Sequence, residues 1–162
     1  MKDELINAIS SGLHGDYTHT DPLFIIKGLT PTIARKKPKK AGHSCWELLH
    51  HIVVWQDILL RHIKGEELDW HEIESRDNWP TSEALEDDSN FWSLKNKFEA
   101  DLNEVKTLLN DIDYTKKSKG SPELSTIKLL LVLLQHTSYH IGQIITVSQV
   151  LGEPIKPPTP DG

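Results

Sequence analysis

Residues 127–143 read IKLLLVLLQHTSYHIGQ, an apolar run that ends in a pair of histidines. His136 and His140 are four residues apart, so on a helix their imidazoles lie one above the other and both can reach one metal ion. The run before them is apolar nearly all round, which predicts the most buried helix of the fold. This helix can begin at Ser121-Pro122 or one turn later at Ser125, and it ends at Gly152.

Helical periodicity dominates the rest of the chain, whereas signals for strands and hairpin turns are poor. It predicts a first helix over 2–13, a short helix over 22–27, a second long helix that starts at the capping box Ser44-Cys45-Trp46-Glu47 and runs to about residue 63, and a third over 82–112. Residues 15–43 and 65–80 are the long connections between them. Four substantial helices in 162 residues predict an all-α fold, a four-helix bundle, in one domain over 1–162.

The second helix offers a third inward-facing histidine. It carries adjacent residues His50 and His51, and only one of them can face the core. By helical phase, His50 falls on a mostly polar face with Glu47, whereas His51 falls on the apolar stripe with Leu48 and Leu59. Two histidines of the fourth helix and His51 would form a three-histidine site with one position open for chemistry.

Two other interpretations of this pattern remain. A histidine on an apolar face is often a hydrogen-bonded core residue, although three inward histidines on two helices favour a shared metal in a bundle core. A zinc-protease helix would place glutamate beside the first histidine, and here Thr137 follows His136, so peptide hydrolysis with a glutamate base is less attractive. Other polar groups expected near the site are Gln143, Tyr139 and either His62 or His19.

Composition limits the remaining classes. A net charge of −6 argues against nucleic-acid binding, and the basic run at 35–40 is better interpreted as a solvated loop than as an anion-binding patch. The single cysteine, Cys45, excludes an intramolecular disulfide and fits a reducing compartment. The acidic N-terminus predicts no export signal, and the longest apolar run is too short to span a bilayer. A cytoplasmic protein that is not membrane-bound is therefore expected.

At these residues the chain resembles the DinB-like superfamily, which includes YfiT-like metal-dependent proteins. The similar segments are HSCWELLHHI at 43–52, Trp79-Pro80, HTSYHIGQI at 136–144, and GLTP at 28–31. The motif of the fourth helix is fairly specific, and together the segments cover most of the chain.

This resemblance implies a divalent metal, usually nickel or zinc, held by His51, His136 and His140, the three residues that helical phase also selects. It implies a metal-dependent enzyme that acts on a small molecule, such as a transferase using low-molecular-weight thiols, and a homodimer. A metal-dependent hydrolase and a non-catalytic, stress-related metal-binding bundle are the alternatives.

Overall fold

The computed structural model describes residues 2–39, 42–119 and 122–155. These residues form helices and no β-strand, apart from one isolated bridge between Lys117 and Ser125. The all-α prediction is confirmed. The helices are α1 (Lys2–His14), α2 (Pro22–Gly28), α3 (Pro31–Arg35), α4 (Cys45–Lys64), α5 (Trp70–Asp77), α6 (Asp88–Leu108) and α7 (Thr126–Val150), with a 3-10 turn at Glu83–Leu85.

The four predicted long helices correspond to α1, α4, α6 and α7, but the connections between them are more ordered than expected. Residues 65–80 contain α5, whose N-terminus is capped by the Asp69 carboxylate accepting from the backbone N–H of Glu72. The third long helix was predicted from residue 82, but it begins at Asp88 because the Asp87 side chain caps it by accepting from Ser89 N–H.

The last helix begins at the later of its two predicted starts. Ser125 is its N-cap residue, while Ser121, the other predicted start, lies outside the described residues. Gly152 follows the helix end with a φ of +72°, a backbone conformation that glycine adopts without strain.

The centre of the fold is α4, which packs against α7 on one side and α6 on the other. The prediction that α7 is the most buried helix is wrong. Most residues of α4 are buried, whereas Leu131 and Val132 of α7 are 44% and 39% exposed. The two helices run antiparallel, since Cys45 near the start of α4 donates through Sγ to the carbonyl oxygen of Ile144 late in α7.

The start of α4 is fixed by the predicted capping box. The hydroxyl of Ser44 accepts from Glu47 N–H at 3.2 Å, and the Glu47 carboxylate accepts from Ser44 N–H at 2.6 Å. Both donors would otherwise lack a partner at the helix end, so the box sets where the helix begins.

Several residues of the basic run are paired with acids. Arg35 binds Asp88, Lys36 binds Glu153, and Lys37 binds the Glu47 carboxylate of the capping box. These pairs reduce the positive potential of the segment, which favours the interpretation of a solvated loop; Lys40 lies outside the described residues. Among the helices of the described ranges, none is long and apolar enough to cross a membrane.

Candidate metal centre

His51 on α4 and the pair His136 and His140 on α7 meet at the interface between the two helices. One ring nitrogen from each residue lies within 4.8 Å of the other two. The Nε2 atoms of His51 and His136 are 3.0 Å apart. Helical phase therefore selected the correct member of the pair at 50–51: His51 is 9% exposed, while His50 turns away and hydrogen-bonds the carbonyl oxygen of Asp77.

The ring of His51 is oriented by Asn78, which caps the C-terminus of α5. The Oδ1 atom of Asn78 accepts from His51 Nδ1–H at 2.7 Å and from Trp55 Nε1–H at 3.2 Å. An amide oxygen is only an acceptor, so this bond places the hydrogen of the neutral imidazole on Nδ1. The lone pair of Nε2 is then directed toward the other two histidines.

His140 is oriented in the same way by a residue of its own helix. The Oε1 atom of Gln143, three residues further on α7, accepts from His140 Nδ1–H at 2.6 Å. The amide nitrogen of Gln143 in turn donates to the Tyr139 hydroxyl at 3.2 Å, so both ends of the amide have a partner. Partners of this kind, which fix the tautomer of a ring, accompany metal-binding histidines.

All three imidazoles are held in the neutral form. Burial lowers the pKa of His136 to about 3, and the nearby rings of His140 and His51 add to this effect. Burial is also the largest cause that lowers the pKa of His51 and of His140. Neutral imidazole is the metal-binding form, so at neutral pH no proton has to be removed before a cation binds.

This donor set fits a divalent cation that prefers nitrogen ligands. Two nitrogens about 2.0–2.1 Å from a tetrahedral zinc lie about 3.3 Å apart, which is close to the 3.0 Å between His51 and His136. A simple N–H···N hydrogen bond between His51 and His136 would also span this distance, but it would not require a nitrogen of His140 close to both. No fourth histidine, cysteine, aspartate or glutamate of the described ranges joins the group. Three protein ligands are the pattern of a site with an open coordination position.

An aromatic wall covers one side of the cluster. Trp79 stacks on His51 with ring centroids 4.6 Å apart, and His43 stacks on Trp79 at 3.7 Å. His43, Tyr139 and Gln143 line a cavity of about 470 Å³ beside the cluster. Its lining combines apolar side chains such as Leu48 and Val147 with these polar groups, which suits a small organic molecule.

The prediction that either His62 or His19 lies near the site is wrong. His62 lies eleven residues beyond His51 on α4, about 16 Å along the helix axis, and it hydrogen-bonds Ser118. His19 hydrogen-bonds Ser138, which lies on the other face of α7 from His136. The predictions for Gln143 and Tyr139 agree with the structure.

Sequence reasoning missed Asn78, Trp79 and His43 as parts of the site. For Asn78 there was no signal, because its position depends on the short helix α5 that was not predicted. The other two lie in segments of the DinB-like pattern, which could have suggested them.

Comparison with known proteins gives one family. A family model described as the DinB superfamily matches residues 17–144. The match includes all three clustered histidines together with His43, Asn78 and Gln143. No curated protein and no solved structure matched the chain.

Proposed function

This chain belongs to the DinB superfamily, and on that premise we propose that it is a metal-dependent enzyme whose ligands are His51, His136 and His140. The observation that carries the proposal is the convergence of three neutral imidazoles, two of them held in one tautomer by amide oxygens. A histidine that is only a packed core residue needs hydrogen-bond partners. It does not need its unprotonated nitrogen directed at two other histidines.

The proposed metal is nickel or zinc. Imidazole nitrogen suits both ions, whereas magnesium and calcium prefer oxygen ligands. When bound at three histidines, such a cation acts as a Lewis acid that lowers the pKa of a thiol or water in its open position.

The proposed reaction is the transfer of a low-molecular-weight thiol to an electrophile. The S–H bond and the bond to the leaving group break, a bond forms between sulfur and the electrophilic atom, and the proton departs with the leaving group. The chain supplies the cavity that holds the electrophile, with Leu48 and Val147 against its apolar part and Tyr139 and Gln143 near its polar part. His43, at the wall of the same cavity, is the proposed carrier of the thiol proton.

The test has two readouts. Metal content is measured on the protein purified without added metal, and transferase activity is measured with cellular thiols and an aromatic halide as electrophile. The variant in which His51, His136 and His140 are all alanine should lose both, while His50→Ala should keep both. Metal bound equally by the triple variant would contradict the ligand assignment. Full metal loading without transfer of any thiol would contradict the reaction alone.

A second candidate is a metal-dependent hydrolase, and the position of His43 supports it. A histidine at the wall of the cavity can act as a general base toward water, which the sequence alone did not provide. A hydrolase would show hydrolytic activity without added thiol. The variant His43→Ala would lose this activity but would still bind the metal. A non-catalytic protein would bind the metal and show neither activity.

A homodimer is also proposed. Large apolar side chains remain exposed along α7, including Leu131 at 44%, Tyr139 at 65% and Val150 at 69%. Association of two such faces would remove this area from water. Light scattering during gel filtration should give twice the 18.4 kDa of one chain, and a single-chain mass would refute it.

A further inference from the structure

A second cavity lies between α4 and the first half of α7, on the side of Trp55 away from the capping box. Its volume is about 200 Å³. Its walls are mostly apolar, with two indole rings on one side. They include Trp55, Leu59, His62, Trp70, Leu129 and Val132. The ring centroids of Trp55 and Trp70 are 5.8 Å apart with an angle of 52° between the planes. No residue of the three-histidine cluster lines this cavity.

His62 is the polar side chain of interest in this wall. It is 4% exposed, and its Nε2 atom has no hydrogen-bond partner among the described residues. Its Nδ1 atom lies 3.1 Å from the hydroxyl of Ser118, which is itself 5% exposed. A buried imidazole normally has both nitrogens paired, so the free Nε2 calls for an explanation.

The contact with Ser118 determines which nitrogen carries the hydrogen. Among the described residues His62 is the one acceptor that the Ser118 hydroxyl meets, and we infer that the hydroxyl donates to Nδ1 so that its hydrogen is paired. Burial, followed by the charge of Arg61, lowers the pKa of His62, which keeps the ring neutral. The single remaining hydrogen is therefore on Nε2, and this N–H is a buried donor in need of an acceptor.

We propose that this cavity binds a small uncharged molecule of about one ring that carries a carbonyl or ether oxygen, and that the oxygen accepts from His62 Nε2–H. The volume suits one ring, since an apolar cavity of about 150 Å³ can hold benzene. The indoles of Trp55 and Trp70 provide edge and face contacts for that ring. The carboxylate of Glu123 at the rim and the net charge of −6 disfavour an anion.

A buried water is a weaker explanation for the free N–H. A bound water needs two to four polar partners, and the polar side chains of the lining are His62, the exposed Glu123 and two indoles, of which Trp55 already donates to Asn78. Trp55 connects this cavity to the candidate metal centre through Asn78, but the donor His62 lies about 16 Å along α4 from His51, so the preference for an oxygen acceptor is tested separately from the proposed enzyme activity.

Two ligands of the same shape test the proposal. Acetophenone presents a ketone oxygen, and α-methylstyrene replaces that oxygen with a CH₂ group. Each is titrated into the full chain, with and without zinc, and binding is followed by calorimetry and by the NMR signals of the Trp55 and Trp70 indoles. We expect acetophenone to bind at least tenfold more tightly, in both metal states, and benzoate not to bind.

Variants identify the site. His62→Leu removes the donor and should make the two ligands bind equally, whereas His14→Leu, on α1 and partly exposed, should leave the difference intact. Val132 is 39% exposed at the rim of the cavity. Val132→Trp should therefore block the cavity and lower the affinity for both ligands without changing the buried wall. Equal affinity of the wild-type protein for the two ligands, absence of binding, or an acetophenone preference that persists in His62→Leu would each overturn the proposal.

Discussion

Replacement of Asn78 by alanine tests how the proposed metal centre is built, because Asn78 contacts the proposed ligand His51 without being a proposed ligand itself. Its Oδ1 atom accepts from His51 at 2.7 Å and from Trp55 at 3.2 Å. Alanine removes both bonds, so the ring of His51 is no longer held in the tautomer that directs Nε2 toward His136. Loss of such a partner lowers metal affinity about 10–100-fold. At about 1.4 kcal/mol per tenfold, this is about 1.4–2.8 kcal/mol of binding free energy.

The assay is a zinc titration against a chromophoric chelator at fixed pH, with circular dichroism to verify the helical content of each variant. Asn78→Asp is the informative companion, because a carboxylate also accepts from both donors, and it should bind zinc at least as tightly as the wild-type protein. Asn90→Ala is the control, since Asn90 donates to the carbonyl oxygen of Ala84 at an exposed position. If the folded alanine variant kept wild-type affinity, or if aspartate lost as much as alanine, Asn78 would not orient His51.

Three further predictions concern the ligands, the pH dependence and the start of α4. His136→Ala should reduce zinc affinity by at least 100-fold, and His50→Ala should change it less than threefold; equal losses in the same competition assay would refute the ligand set. In the metal-free protein, His136 of the unfolded chain has its ordinary pKa of about 6.5, whereas in the folded chain its pKa is about 3. Stability is therefore full above pH 6.5 and falls as the pH drops, by about 2 kcal/mol from this residue between pH 7 and 5. Urea unfolding curves at several pH values measure this, and a flat profile would contradict it. Ser44→Ala removes the hydroxyl of the capping box and should lower the free energy of unfolding by about 1 kcal/mol. Asn103→Ala, at an exposed position inside α6, should not lower it, because alanine is the better helix former.

The parts of the site that were predicted from sequence follow from local rules. A helix has a fixed period, so the phase of α4 separates His51 from His50, and the spacing of four on α7 brings His136 and His140 to one face. The contact between His140 and Gln143 also lies within one helix. These three relations within single helices do not depend on where each helix lies in the fold. They require only that the apolar faces of α4 and α7 pack against each other.

The parts that were missed depend on contacts between distant segments. Asn78 reaches His51 only because α5 folds back on α4, and nothing in the local pattern of residues 65–80 indicates that contact. The burial of α7 was overestimated for a related reason. Its apolar run is continuous, but only one face meets α4, and Leu131 remains exposed because no described segment packs over it.

The central claim is that His51, His136 and His140 bind one divalent metal ion and leave one coordination position open. X-ray absorption at the metal edge, on protein purified without added metal, measures this directly. We expect one ion of nickel or zinc per chain with three imidazole nitrogens, at about 2.0–2.1 Å if the metal is zinc, and a remaining oxygen ligand that a sulfur atom replaces when a low-molecular-weight thiol is added. A protein without stoichiometric metal, or a metal whose shell lacks the three imidazoles, would contradict the account.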